Sequence, residues 1–370
     1  MTTKLPTESD FKRIFIEQTP LLDVRAPLEF EAGAFPNSLN IALLNNEERH
    51  LVGIKYKQAG QDAAIALGYE LVDEPKKQER LAKWQQFFIN HPQGMLYCFR
   101  GGLRSRLSQA MLAHEVGITV PRLTGGYKAM RRFLITALES ESQHANFIVL
   151  GGRTGSGKTE LIQTLPRILD LEGIANHKGS AFGQEIDPQP SQIDIDHQIA
   201  IQLLRLSTNS LHNAILLEDE GAKIGARRLP QSLWESMQNA PLIILQAPIE
   251  QRVARVFNDY IVLKRQKLMH RLINEEAVFK QQHDELIQSL SQIQRRLGDE
   301  RYRGYRSLAS EGLNEFFEKN NPDKLNLLIY KMLKEYYDPM YDYQISKKTA
   351  RIQFSGEAEA VRSWLAQSSV

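Results

Sequence analysis

Cysteine is nearly absent from the chain: Cys98 stands alone among 370 residues. That excludes an intramolecular disulfide framework and any multi-thiolate zinc or iron–sulfur centre, and it suits a reducing compartment. Long apolar runs are missing too, since no stretch approaches the roughly 18 residues that span a bilayer. The opening residues, MTTKLPTESDFKR, carry no apolar segment of a secretory signal. The expectation is therefore a cytoplasmic protein with no membrane partner. No internal repeat and no low-complexity segment is present. What is there is globular: 42% hydrophobic and 24% charged residues argue against a disordered or fibrous chain. A length of 370 residues predicts two or three domains. The net charge of +2 hides an uneven spread, with +4 over 1–138, −7 over 139–220 and +5 over 221–370. A basic surface at either end can attract a polyanion.

Apolar runs and turn signals order the chain into alternating strands and helices, which predicts α/β architecture. Leu21–Val24 and Met95–Tyr97 read as strands, and 104–115 and 127–138 as helices, with a domain end expected in the polar stretch 139–146. A second α/β unit starts with the buried-strand signal Phe147–Leu150, continues with a helix expected over 158–169, and includes strands at Ile215–Leu217 and Leu242–Leu245. From about Ala247 onward the pattern is helical, most clearly over 275–297.

Gly152-Arg153-Thr154-Gly155-Ser156-Gly157-Lys158-Thr159 fits G-x-x-x-x-G-K-[ST] between an apolar strand and a helix. Glycines let backbone N–H groups turn inward around phosphate oxygens, and the helix N-terminus adds partial positive charge. Lys158 would reach a terminal phosphate and Thr159 could ligate Mg²⁺. A nucleoside triphosphate is the usual occupant, but such a loop recognises any diphosphate-like group. Glu218, Asp219 and Glu220 follow the strand at Ile215–Leu217, where proteins with this loop hold a metal through water.

Cys98-Phe99-Arg100-Gly101-Gly102-Leu103-Arg104-Ser105 lies between a strand and a helix. A short glycine-containing loop there aims several N–H groups at one point, and Arg100 and Arg104 add positive charge. Such surroundings favour a reactive thiolate and cradle an anion. Two chemistries share the pattern. C-x5-R, met by Cys98 and Arg104, is that of cysteine phosphatases; the same loop on a rhodanese domain carries sulfur or selenium. The segment Leu22-Asp23-Val24-Arg25-Ala26-Pro27-Leu28-Glu29-Phe30, with Gly33 and Pro36–Asn40 after it, resembles the rhodanese pattern D-V-R-x-x-x-E-F…G-x-x-P…N. Leu123-Thr124-Gly125-Gly126-Tyr127 resembles its closing L-x-G-G-[WY]. Asp23 and Arg25 read as a structural ion pair.

A rhodanese-like domain followed by a phosphate-loop domain resembles the tRNA 2-selenouridine synthase family. Cys98–Ser105 is similar to that family's C-W-R-G-G-M-R-S, with Phe99 and Leu103 as apolar replacements. Also similar are Asp170–Gly173, Ala175–His177, Gly179–Gly183, Glu218–Glu220 with Ile224-Gly225, and Tyr336–Tyr341; Gly221 stands where the family has serine. The resemblance implies an α/β chain in three parts. These are a rhodanese-like domain over 1–140, a P-loop NTPase-like α/β domain over 146–250, and a mostly helical C-terminal region over 251–370.

It also implies an enzyme that converts wobble 2-thiouridine of tRNA to 2-selenouridine through an S-geranyl intermediate. Geranyl diphosphate and selenophosphate would be co-substrates, with no tightly bound cofactor. Cys98, Arg100 and Arg104 would then be catalytic, and Gly152, Gly155, Ser156, Gly157, Lys158 and Thr159 would hold diphosphate. His177 and Ser180 are candidates for lining the same pocket. Arg227, Arg228, Arg301, Arg303 and Arg306, with Arg295, Arg296, Tyr302 and Tyr305, are candidates for tRNA contact through phosphate neutralisation and base stacking. Tyr336, Tyr337, Tyr341 and Tyr343 read as core. Two alternatives stay open: a C-x5-R phosphatase with a nucleotide-binding second domain, and a non-catalytic RNA-binding module.

Overall fold

The computed structural model describes residues 5–208 and 214–367. These form two compact units: one holds the residues up to Glu141 together with 191–205, and the other holds 142–190 and the residues after 205. The stretch 191–205, which the sequence reading put in the second domain, packs with the first as part of the helix Gln192–Thr208. Its anchors are specific. Asp194 accepts from the Ala34 N–H at 2.8 Å, and the His197 ring bonds the Ala34 carbonyl oxygen at 2.8 Å. Burial lowers the His197 pKa to about 4, so the imidazole is neutral and structural. The helix Gly126–His144 runs through most of 139–146, and the two units divide between Glu141 and Ser142.

The first unit is built on five parallel strands: β1 (Thr7–Glu8), β2 (Leu21–Asp23), β3 (Ser38–Asn40), β4 (Met95–Tyr97) and β5 (Arg122–Leu123), in the order β1-β5-β4-β2-β3. β2 and β4 are buried along their whole length, as expected of parallel strands covered on both faces. Leu22, Val24, Trp84, Phe88, Leu96 and Leu112 form the core around them. The chain runs from β2 outward to β3 and then returns to the other side of β2 for β4. Between those strands the order reverses, and ligands of open α/β sheets gather outside the carboxyl ends at such a point. Asp23 and Cys98 lie there.

The second unit repeats the scheme with β6 (Phe147–Gly151), β7 (Ile168–Leu169), β8 (Ile215–Glu218), β11 (Leu242–Leu245) and β12 (Ile352–Gly356), in the order β12-β11-β6-β8-β7, all parallel. β9 (Lys223–Ile224) and β10 (Arg227–Arg228) form a separate antiparallel hairpin. β6 is the strand from which the order runs both ways, and the glycine-rich loop leaves its carboxyl end. The helix after that loop covers only Lys158–Ile162, not 158–169; Pro166 cannot continue it, and Ile168–Leu169 is β7. β12 was not expected within the helical C-terminal region. It is an edge strand with alternating burial, a weak signal beside the continuous apolar runs of β6 and β8. The helices Glu275–Leu297, Asp299–Lys319 and Asp323–Met332 pack around Leu290, Ile293, Ala309, Leu328 and Leu333. Two π-helical turns interrupt this region, at Asn258–Val262 and Leu333–Tyr337.

Candidate active sites: a cysteine loop and a glycine-rich loop

In the first unit Cys98 follows β4 directly and is 3% exposed. Its Sγ lies 3.1 Å from Ser105 Oγ in the first turn of the helix Leu103–Glu115, and that hydroxyl also bonds the Gly102 carbonyl at 3.1 Å. The loop is closed from beneath by the turn after β5. Tyr127 and Lys128 donate their N–H groups to the Cys98 and Phe99 carbonyls at 2.9 Å each. Gly126, at φ +56°, sits so close to the Cys98 carbonyl that a β-carbon has no room. The L-x-G-G-Y signature thus serves the cysteine loop.

Asp23 and Arg25 form the expected buried pair. Arg25 Nε donates to Asp23 at 2.7 Å, another guanidinium nitrogen bonds the Gly33 carbonyl at 2.9 Å, and the guanidinium carbon lies 3.9 Å from the Tyr127 ring centroid. The pair therefore ties the three motifs together. Arg104 is bound to Glu29 through two bonds of 2.5 and 3.1 Å. Burial pushes the Glu29 carboxyl up, but the bonds and charge of Arg104 outweigh it and hold the pKa below the usual range. In a C-x5-R phosphatase the corresponding arginine is needed for the phosphate. Here its fork is already engaged, which counts against that alternative. Arg122, not singled out from the sequence, bonds the Gly101 carbonyl near Cys98, and burial lowers its pKa. Arg100 is exposed beside the Phe99 ring.

In the second unit the residues of the glycine-rich loop converge as the pattern predicts. Gly155 has φ +77°, and a β-carbon there would lie 2.7 Å from the Arg252 carbonyl. Lys158 Nζ donates to the Gly152 carbonyl at 3.1 Å, and Thr159 Oγ1 lies 3.4 Å from Glu218 Oε1. The Ser156 hydroxyl is buried without a partner among the described residues. Arg252 donates to the Thr154 carbonyl at 2.9 Å and is itself held by Asp338 at 2.6 and 3.0 Å. The Tyr336–Tyr341 motif therefore braces the loop. Of its tyrosines Tyr337 is core, whereas Tyr343 beyond it is exposed.

A pocket of about 710 Å³, its open mouth included, lies over this loop, with Lys158, Thr159, Glu172, Lys178, Glu220 and Arg255 among its walls. Glu172, Glu218 and Glu220 bring one carboxylate oxygen each within 4.8 Å of one another. Burial, and next the charge of Glu172, raise the carboxyl pKa of both Glu218 and Glu220. One Glu218 oxygen is buried with no hydrogen-bond partner among the described residues. Crowded, under-compensated oxygen donors beside Thr159 suit a hard divalent cation such as Mg²⁺. Asp219 stays out of this group, because Lys348 holds it at 2.7 and 2.8 Å. Glu172 takes its place. It lies on the helix Leu171–Ala175, which Asp170 caps by accepting from the Gly173 N–H at 2.8 Å.

Ser180 lines the pocket and its hydroxyl lies 3.3 Å from that of Tyr260. His177 does not line it; the ring packs against Gly225 in the β9–β10 turn, and burial lowers its pKa. Arg227 and Arg228 form β10. Arg295, Arg296, Arg301, Arg303 and Arg306 are all exposed. Arg301 lies 3.7 Å from Glu335, and Arg303 bonds the Asp299 carbonyl. Tyr305 is only 3% exposed and donates to Glu335 at 2.9 Å, so it cannot stack on a base as expected. No helix among the described residues is long and apolar enough to cross a membrane.

Two parallel α/β units, one with a cysteine loop and one with a glycine-rich loop at its switch strand, define an α/β protein with a candidate site on each unit. The family described as tRNA 2-selenouridine synthase AAA domain matches residues 145–370. Named tRNA 2-selenouridine synthase are relatives from Cupriavidus pinatubonensis, 45% identical with 97% of this chain and 98% of the relative covered, and Pseudomonas fluorescens, 44% identical with 97% of each covered. A Shewanella relative of that name is 43% identical, with 99% of this chain and 98% of its own covered. The chain belongs to the tRNA 2-selenouridine synthase family. A solved domain from Clostridium difficile 630 covers 35% of this chain and 98% of its own length at 31% identity, but its TM-score of 0.32 is too low to carry an argument.

Proposed function

We propose that this protein replaces the sulfur of wobble 2-thiouridine in tRNA with selenium, in two steps divided between its loops. In the first step the thiocarbonyl sulfur attacks C1 of geranyl diphosphate. The C–O bond breaks, diphosphate leaves with the electron pair, and the base loses a proton to solvent. The glycine-rich loop is suited to the departing charge: Lys158 and the loop N–H groups stabilise an oxyanion that grows as the bond breaks. Mg²⁺ held by Glu218, Glu220 and Glu172 would offset further negative charge there. Alkylation also turns a poor leaving group into a thiol.

In the second step selenium from selenophosphate bonds to C2, geranylthiol departs, and hydrolysis of the P–Se bond releases phosphate. The cysteine loop is assigned to this step, with Cys98 beside the reacting selenium and the nearby N–H groups, Arg100 and Arg122, rather than the Glu29-bound Arg104, receiving selenophosphate. Family membership over nearly the whole chain is the observation that carries the reading; the separate sites account for two steps. The test of the first step is to incubate 2-thiouridine tRNA with the protein and geranyl diphosphate, omitting selenophosphate. The expected product is the S-geranyl nucleoside, and its absence would refute the proposed order.

A further inference from the structure

Beside the loop pocket lies a second chamber of a different character. Its space, open mouth included, is about 540 Å³. Thr154, Ser180, Val256 and Tyr260 line both spaces, so the two adjoin. The Ser180 hydroxyl interacts with those of Tyr260 and Tyr337, which gathers most of the chamber's polar side-chain groups near that junction. Beyond it the walls are hydrocarbon, including Leu286, Leu325, Leu328 and Met332. Both π-helical turns contribute to this chamber, one through Tyr260 and Ile261 and the other through Leu333 and Tyr337. Such turns are rare and are frequently found at functional sites. A nucleoside entering here would press ribose hydroxyls and base edges against walls with few partners to offer, and burying unpaired polar groups is costly.

We propose that the chamber receives the hydrocarbon chain of a diphosphate ester whose head group sits on the glycine-rich loop, and that Leu286 and Leu325 set the longest chain accepted. This rests on the loop being a diphosphate site. Leu325 is 1% exposed and backed by Gly312, where a β-carbon would meet it at 3.0 Å. It belongs to a cluster with Ile261, Leu313 and Phe316, against which Leu286 also packs. This stretch of wall is therefore firm rather than yielding, as a length gauge requires.

The test uses the full-length protein and titration calorimetry with inorganic, dimethylallyl, geranyl and farnesyl diphosphates. Wild type, Leu325→Ala and Met332→Phe are compared, with melting curves reporting that each is folded. Affinity of the wild type should exceed that for inorganic diphosphate by about fourfold for each methylene buried, and should stop rising once the chain outgrows the chamber. Leu325→Ala should shift the preference to a longer chain and Met332→Phe to a shorter one. Equal affinity of the wild type for inorganic and geranyl diphosphate would overturn the chamber and leave the loop reading intact. Chain-dependent affinity that neither variant shifts would overturn this placement. If inorganic diphosphate and every ester fail to bind, the loop reading falls and the chamber with it. Should Leu325→Ala fail to fold, Met332→Phe and the wild-type chain series still decide.

Discussion

Removing the Asp338 carboxylate should loosen the glycine-rich loop from behind. Arg252 is 2% exposed and Asp338 6%, and they share two bonds of 2.6 and 3.0 Å. Asp338→Ala would leave a guanidinium buried with its charge uncompensated, at a cost of about 3–5 kcal/mol. Asp342, four residues on, provides the contrast. Its bond to Arg153 is as short, 2.7 Å, but the two side chains are 53% and 44% exposed. Solvent-exposed pairs contribute about 0–1 kcal/mol, so Asp342→Ala should be nearly silent. In thermal unfolding of a body this size 1 kcal/mol corresponds to roughly 2–4 °C. The expected shifts are therefore about 6–20 °C for Asp338→Ala and no more than about 4 °C for Asp342→Ala. Because Arg252 also donates to the Thr154 carbonyl at 2.9 Å, the first variant should bind inorganic diphosphate more weakly even below its melting range. Equal shifts for the two variants, or a loss under about 1 kcal/mol for Asp338→Ala, would refute the reasoning.

Lys158→Ala removes a charge-assisted contact of about 1.5–3 kcal/mol, so calorimetry should show inorganic diphosphate bound roughly tenfold to 150-fold more weakly, and unchanged affinity would contradict its assigned role. Glu218 has its pKa raised in the folded state, so the native protein holds more protons than the unfolded chain above the ordinary carboxylate range. Its contribution is complete at acid pH and is lost as pH rises through the raised value. Melting temperature measured over roughly pH 5 to 8 should therefore fall less steeply in Glu218→Gln than in wild type, and Mg²⁺ should raise it more in wild type than in the variant. Because Arg104 is engaged by Glu29, incubation with an aryl phosphate should release no phosphate above the level of Cys98→Ala.

Much of this arrangement was legible in the residues, because two local signals are unusually rich. A buried strand followed by a glycine-rich loop, Lys158 and Thr159 specifies its own geometry within a dozen residues. The cysteine loop does the same, and its supporting motifs at Asp23–Arg25 and Gly125–Tyr127 meet where the sheet order reverses. What stayed hidden depends on contacts between distant parts of the chain. The helix Gln192–Thr208 is amphipathic, and nothing in its periodicity says which unit it covers. Glu172 joins Glu218 and Glu220 only through folding, whereas Asp219, adjacent in sequence, is drawn away by Lys348, 129 residues on. Tyr305 looked available beside a run of arginines, but it is turned inward onto Glu335 while Arg303 and Arg306 face solvent. The apolar chamber has no linear signature, since its walls come from well-separated segments of the chain.

The most direct test of the two-loop account is mass spectrometry of nucleosides from 2-thiouridine tRNA incubated with geranyl diphosphate and selenophosphate, using wild type, Cys98→Ala and Lys158→Ala side by side. The account predicts 2-selenouridine from wild type alone, the S-geranyl nucleoside accumulating with Cys98→Ala, and unmodified 2-thiouridine persisting with Lys158→Ala. Selenouridine formed by Cys98→Ala, or normal geranylation by Lys158→Ala, would contradict it.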